Sequence, residues 1–488
     1  MSRTEVNSKK VLVQDNNQKP ESRFFGWKDK FFKFVKPTMF THYGPYGISV
    51  FDYEWKPKSD FDFKSAFQFE EGVNGQQIFP STLFFRVYYP SMCLGSCKST
   101  IDWLPEPSSA YAVGYGNTLN LPRFISLSVF GIVKNSVKQP VCVDSNILCH
   151  SCVGKNNCAE NTCSCDNSSK FPVAIFSHGI MGNRTTYSSI CRELASQGMV
   201  VIAIEHRDGS ASATYLKDQE KTLLYQNFEK YRSMKNNSPE NKDSQMEEFG
   251  EERFAFQKRK LDFRLNELAN VVEKLTEMNS IPKSDLNTNK SNSNGFIKFG
   301  LSGKLNLSEL TIIGHSFGGS LALEAIKDKR FYKKESENKS IFKAAVALDP
   351  WMFPVDKETP IVDIPLLIIR SEHFQKWDSH YKLELEYFRK SKGTTDSIAL
   401  TEPGKMYSAT ILQAGHQQFS DVYLVFPWIA HIKGITFKAD PIRVIQVTNL
   451  LIMEFLRNHL DHKFPDSNSE TFMLEKTDNN NIEDLVFD

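Results

Sequence analysis

The 488 residues carry 59 Lys and Arg against 58 Asp and Glu, a formal net charge of +1, so no global field draws the chain to nucleic acid. Hydrophobic residues make up 40% of the sequence, enough for one large domain with insertions or for two or three smaller ones. No period of roughly 20 to 50 residues repeats, which argues against solenoids and propellers, and no apolar run approaches the roughly 18 residues that span a bilayer.

The N-terminal stretch, residues 1–36, reads as a tail. Met1 to Pro20 is polar and lacks the apolar h-region of a secretory signal, and Ser2 stands where a myristoylation pattern needs glycine. A cytoplasmic protein with peripheral membrane contact is the expectation, with secretion as the alternative. Trp27 to Lys36 mixes aromatics with lysines and is a candidate for contact with a lipid headgroup layer.

Residues 37–465 read as one domain. Strand-like runs occur at Leu83 to Tyr89, Pro172 to Phe176, Met199 to Ile204, Leu310 to Ile313, Ala344 to Leu348 and Leu366 to Ile369. The later runs are almost continuously apolar, the pattern of parallel strands covered on both faces. Helical patterns separate them: Tyr187 to Ser196, and Leu261, Leu265, Leu268, Val272 and Leu275 at spacings of four, three, four and three. This alternation predicts a mostly parallel sheet with helices on both faces. Three insertions interrupt it and are expected as surface loops. Residues 135–170 hold Cys142, Cys149, Cys152, Cys158, Cys163 and Cys165, six of the nine cysteines. Residues 217–252 are charged, with a short helix expected over Leu223 to Tyr231, and 284–303 are rich in Asn, Ser and Lys. Residues 466–488 are dominated by acidic and amide side chains and read as a disordered tail.

The run Leu310 to Gly319 carries the chemistry. An apolar β-branched segment enters Gly314-His315-Ser316-Phe317-Gly318, and Leu321, Ala322, Ala325 and Ile326 continue at helical spacing. That is the strand, turn and helix of a Gly-x-Ser-x-Gly nucleophile elbow, in which the glycines permit a turn too tight for side chains. It nominates Ser316. A serine needs a base within reach, oriented by a carboxylate, and α/β-hydrolases carry these in the chain order Ser, acid, His. His416 follows a short apolar run and Gly415. Two carboxylates compete for the acid position: Asp349, directly after Ala344 to Leu348, and Glu372, after Leu366 to Ile369. For the tetrahedral intermediate, one backbone N–H is expected from Phe317 and the other from Ile180 in the turn after Phe176-Ser177-His178-Gly179, although Met181 between Ile180 and Gly182 leaves room for a shift by one residue. Glu205-His206-Arg207-Asp208 reads as a structural ion-pair cluster in preference to a substrate contact.

With these residues in place, the chain resembles the platelet-activating factor acetylhydrolase family, the group VII phospholipases A2. The matching segments are Gly44-Pro45-Tyr46, Phe84 to Ser91, Trp103-Leu104-Pro105, Phe176 to Gly179, Ile204 to Thr214, Gly314 to Gly319, Ala347 to Pro354, Ser371-Glu372 with Phe374-Gln375, and Gly415 to Phe419. The resemblance implies an α/β-hydrolase fold with nucleophile Ser316, acid Asp349, base His416 and oxyanion donors Phe317 and Ile180. It also implies calcium-independent cleavage of short or oxidised sn-2 acyl groups of phospholipids, with no metal or cofactor, at a membrane or lipoprotein surface. The cysteine-rich insertion departs from the family pattern. Reduced or metal-bound thiols are expected there over disulfides, because no secretory signal accompanies them. Tyr423 to Ile429 is an apolar run suited either to a headgroup layer or to a core.

Overall fold

In the computed structural model, the described residues run from 37 to 465, apart from 38, 59, 67–78, 92–99, 144, 149–169, 230–249, 282–293, 334–338, 360–363, 393–405 and 428–437, together with the backbone of 485–487. The chain divides into two compact units, Met1–Lys36 and Pro37–Asp488, and the described residues all belong to the second. Trp27 to Lys36 therefore lies outside the described residues, as does most of the cysteine-rich insertion.

The strands are β1 Gly47–Trp55, β2 Leu83–Ser91, β3 Thr100–Asp102, β4 Lys138–Pro140, β5 Phe171–Ser177, β6 Val200–Ile204, β7 Ala213–Leu216, β8 Lys221–Leu224, β9 Leu305–His315, β10 Phe342–Leu348, β11 Leu366–Ser371, β12 Met406–Ile411 and β13 Leu485–Phe487. The helices are α1 Ser108–Thr118, α2 Arg123–Ser136, α3 Ser188–Ser196, α4 Glu251–Asn279, α5 Gly295–Lys298, α6 Phe317–Ala325, α7 Glu372–Gln375, α8 Asp378–Lys392, α9 Val422–Val425 and α10 Pro441–His459. Nine strands form one sheet in the order β1-β2-β6-β5-β9-β10-β11-β12-β13. The inner run from β6 to β12 is parallel, and the edges are antiparallel. All six expected strands are present.

Because side chains alternate across a strand, each interior strand feeds two cores. Val173, Ile175, Ile312, Ala345, Ala347, Leu366 and Ile368 pack with Leu261, Leu265 and Leu268 of α4 and Leu321 of α6. Ala174, Phe176, Ile313, Val346, Leu348, Leu367 and Ile369 face the other way, onto Ile190 and Leu194 of α3 and Val444, Ile445 and Ile452 of α10. Each fully buried aliphatic contributes on the order of 1.5–3 kcal/mol. The doubly covered sheet expected from the apolar runs is thus the observed architecture.

A smaller core lies under α1 and α2, where Trp103, Tyr111, Tyr115, Phe130 and Phe426 meet. Tyr423, Leu424, Val425 and Phe426 are all buried, 0–5% exposed, so this part of the run Tyr423 to Ile429 is core. The reason is geometric: α9 turns these residues inward, and the Phe426 ring sits edge-on to Phe130 at 5.1 Å. Among the described residues, the two most exposed large hydrophobic side chains lie on α2, where Phe124 is 71% and Ile132 67% exposed.

The insertions and the C-terminal segment also differ from expectation. Residues 135–148 are not a surface loop: β4 pairs with β3, Cys142 and Ile147 bridge to β1 and β2, and Val141 and Leu148 are buried. Cys142 is disulfide-bonded, against the expectation of reduced or metal-bound thiols. Lys221–Leu224 pairs antiparallel with Ala213–Leu216, so Leu223 belongs to a hairpin; the alternation of Thr222 and Leu223 outweighs the weak helical spacing. Within 284–303, Gly295–Lys298 forms one helical turn capped by the Asn294 side chain. The tail 466–488 is not wholly unstructured, since Leu485–Phe487 pairs antiparallel with Ala409–Ile411; three consecutive apolar residues suit the open edge that β12 otherwise presents.

Candidate active site

The loops that leave the C-terminal ends of the parallel strands converge, as they do in open α/β sheets. Ser316 sits between β9 and α6 with φ of 56° and ψ of −117°, a backbone conformation that non-glycine residues seldom adopt and that the surroundings must enforce. Two features enforce it. The Ser316 N–H donates to the carbonyl of Leu348 at 2.9 Å, and the Trp351 N–H donates to the Ser316 carbonyl at 3.0 Å. A Cβ at Gly314 would fall 2.0 Å from the carbonyl oxygen of Gly318, and one at Gly318 would fall 2.0 Å from that of Ser177. The glycines are therefore steric requirements of the turn.

Parallel pairing of Leu348 with His315 places Asp349 beside the elbow. Asp349 is fully buried, and its Oδ2 accepts from Nδ1 of His416 at 3.0 Å. The same carboxylate accepts from the Ser371 N–H at 2.6 Å and from the Ser371 hydroxyl at 2.6 Å. His416 begins a short 3-10 turn, His416–Phe419, and its ring stacks on Phe374 at 4.5 Å with an interplanar angle of 11°. With Nδ1–H committed to Asp349, Nε2 is the nitrogen free to act as a base. Glu372, the competing carboxylate, faces elsewhere: it binds Lys376 at 2.5 Å and the Gln413 N–H at 2.6 Å. These partners hold its carboxyl below the usual range.

In the turn after β5, Tyr187 Oη accepts from the Gly179 N–H, the carbonyl of Ser210 accepts from Met181 and that of Gly179 accepts from Gly182. Ile180 is left as the unengaged amide of the turn among the described residues. Met181 has a φ of 64°, and its engaged N–H removes the alternative of a donor shifted by one residue. Phe317 is the first residue of α6, where N–H groups have no intrahelical acceptor.

The segment Glu205 to Asp208 is buried throughout, and each of its side chains has a protein partner. Glu205 accepts from Tyr111 at 2.6 Å and pairs with Arg184, Arg207 pairs with Glu54 at 2.8 Å, and Asp208 pairs with Arg264 at 2.9 Å. His206 bridges Ser177 and Glu267. Burial holds His206 well below the ordinary imidazole range and raises Glu267 well above the carboxylate range.

Arg264 is the residue that the sequence concealed. It interrupts the apolar stripe of α4, yet it is fully buried. Its Nη1 donates to the carbonyl of His178 at 2.7 Å, its Nη2 to Ser210 at 2.5 Å, and its guanidinium lies 4.5 Å from the Phe317 ring centre. It thereby braces the turn holding Ile180. The available signal was a lone arginine between Leu261, Leu265 and Leu268.

Among the described residues, His315, Asp349 and His416 are close enough to hold a metal, their ligand atoms lying within 4.8 Å of one another. Both ring nitrogens of His315 already have partners, Tyr187 at 2.7 Å and the carbonyl of His416 at 3.0 Å, so ordinary hydrogen bonding accounts for the cluster.

Comparison with known proteins gives the family and the fold. The family model for platelet-activating factor acetylhydrolase, isoform II, matches residues 70–481. The chain is 30% identical over 406 residues to the platelet-activating factor acetylhydrolase of Gallus gallus, covering 78% of each chain. It is 28% identical over 410 residues to that of Cavia porcellus, covering 83% of this chain and 78% of the relative. Among solved structures, a ferulic acid esterase from Streptomyces cinnamoneus superposes with a TM-score of 0.53 at 16% identity, over 92% of this chain and 98% of the esterase; at that identity the likeness speaks to the fold, an α/β-hydrolase. The match over most of the chain, the strained serine elbow and the pairing of His416 with buried Asp349 lead to one conclusion: the chain belongs to the platelet-activating factor acetylhydrolase, isoform II, family and is a serine ester hydrolase.

Proposed function

We propose that the chain hydrolyses short or oxidised sn-2 acyl groups of phospholipids through an acyl-enzyme on Ser316, without calcium. The hydrogen bond from His416 to buried Asp349, beside the elbow, carries this reading. His416 Nε2 takes the Ser316 proton as Oγ attacks the ester carbonyl. The oxyanion forms between the N–H groups of Phe317 and Ile180. As it collapses, the carbonyl–oxygen bond to the glycerol breaks, and His416 returns the proton to the lysophospholipid alcohol. Water, deprotonated by the same nitrogen, then attacks the acyl-enzyme, and the acid is released with Ser316 restored.

Trp351 supports a short acyl group. Its backbone N–H holds the Ser316 carbonyl, and its ring lies edge-on to Phe317 at 5.9 Å, so a bulky aromatic residue is anchored next to the elbow. Lipid contact is read on the outer face of α2, where Phe124, Leu127 and Ile132 are exposed beside Arg123 and Lys134, the composition of a helix that lies in a headgroup layer. Of the two compartments, the disulfide at Cys142 favours the secreted alternative.

The test is hydrolysis of an sn-2 acetyl phospholipid with calcium chelated, comparing wild type with Ser316→Ala. Loss of turnover in the variant supports the serine mechanism and the substrate class together. Activity persisting in Ser316→Ala overturns the assignment, and a wild type that cleaves only simpler esters makes the chain a broader carboxylesterase. Liposome flotation of Phe124→Asp and Ile132→Asp variants tests the lipid face, and undiminished binding would remove it.

A further inference from the structure

His315 adjoins the nucleophile, but its ring turns away from Ser316 into a buried chain of hydrogen bonds. The carbonyl of His416 only accepts, so Nε2 of His315 carries the hydrogen across the 3.0 Å contact. Burial, reinforced by His416, holds His315 well below the ordinary imidazole range, so the ring is neutral and Nδ1 is bare. Nδ1 therefore accepts the Tyr187 hydroxyl hydrogen at 2.7 Å, and the same hydroxyl oxygen accepts the Gly179 N–H at 3.2 Å. Each hydrogen has one place. Tyr187 and His315 are 4% and 1% exposed, so water does not substitute for either partner.

The chain ties together three loops that the sheet alone does not align. Gly179 immediately precedes Ile180, His315 precedes Ser316, and the third group is the backbone of His416. In the sheet order β12 is separated from β9 by β10 and β11, so no ladder bond joins the loop of His416 to the elbow. We propose that Tyr187 and His315 are positioning residues that hold the oxyanion turn and the base in register with the nucleophile. The proposal rests on the assignment of Ser316, His416 and Ile180 made above.

The two arms separate by isosteric substitution. His315→Gln keeps an amide N–H near the position of Nε2, and so the link to His416, but loses the acceptor for Tyr187. His315→Asn keeps an acceptor near Nδ1 and loses the link to His416. Tyr187→Phe removes the hydroxyl and leaves Gly179 N–H and His315 Nδ1 unpaired.

The experiment measures kcat and KM of the full chain on an sn-2 acetyl phospholipid, together with inhibition by a trifluoromethyl ketone analogue that adds to the serine and mimics the tetrahedral intermediate. Thermal melts of every variant and Ser316→Ala accompany it. Tyr187→Phe is expected to lower kcat about 10- to 100-fold with KM little changed, and to weaken the ketone by the same factor. Each His315 variant is expected to show a smaller loss of the same kind. A folded Tyr187→Phe with unchanged kcat and ketone affinity overturns the proposal, as does a loss confined to the melting temperature. Activity surviving in Ser316→Ala overturns the underlying site assignment, and the proposal with it.

Discussion

Gly318→Ala puts one methyl group where the fold has no room. The added Cβ would lie 2.0 Å from the carbonyl oxygen and 2.6 Å from the carbonyl carbon of Ser177, and restoring an ordinary contact of 3.4 Å requires a displacement of about 1.4 Å. Ser177 cannot yield easily, because β5 is paired with β6 on one side and β9 on the other. The movement therefore falls on the first turn of α6, which carries the Phe317 N–H and adjoins Ser316. A misplacement of about 1 Å costs on the order of 100-fold in rate, equivalent to about 2.7 kcal/mol of barrier, and the overpacking costs a further 1–3 kcal/mol or so of stability. Steady-state hydrolysis of an sn-2 acetyl phospholipid and urea unfolding, run on the same preparation, read both quantities. A variant with kcat/KM within about threefold of wild type and an unchanged unfolding midpoint would refute the reasoning, because the close approach of α6 to β5 would then not be needed for the elbow.

Asp349→Asn replaces a carboxylate that accepts from both His416 and Ser371 with a group that has one acceptor oxygen; kcat should fall by on the order of 10⁴ with KM nearly constant, and a loss under about tenfold in steady-state assays would point to another acid. Trp351→Ala should widen the acyl site and raise the kcat/KM ratio of hexanoyl over acetyl substrates by roughly tenfold or more; an unchanged ratio would remove Trp351 from acyl selection. His380 is held at about 4 by burial, with His416 adding. A folded value below the unfolded one gives stability that is present above about pH 6.5 and is lost as pH falls toward 4. Between pH 7.5 and 5 the wild type should therefore lose about 2 kcal/mol more unfolding free energy than His380→Gln, and equal losses in urea titrations would contradict the burial argument.

Much of the fold was legible because its signals are local. Buried parallel strands must be apolar on both faces, so Pro172 to Phe176 or Leu366 to Ile369 announce themselves without reference to any neighbour. The elbow is legible for a similar reason, since a tight turn excludes side chains at Gly314 and Gly318 wherever it occurs. Less visible were β1 and β12, whose mixed burial gives no continuous run, and α2, whose outer face is apolar and so blurs its periodicity.

By itself, the sequence determined the sheet, the nucleophilic turn and the short set of residues from which a base, an acid and two oxyanion donors had to come. Spacing left Asp349 and Glu372 in competition, because both follow apolar strands; the resemblance favoured Asp349, and the tertiary structure shows that Asp349 is the carboxylate facing His416. It also decided that Tyr423 to Phe426 is core, that Glu205, Arg207 and Asp208 pair with Arg184, Glu54 and Arg264, and that Arg264 and Tyr187 hydrogen-bond to the turn that precedes Ile180. Apart from the Gly179–Tyr187 contact, which spans 8 positions, these outcomes depend on hydrogen bonds between residues 67 to 318 positions apart. Local composition and period fix what a segment becomes, whereas the direction of a buried polar side chain is fixed by the partners that the folded chain brings to it.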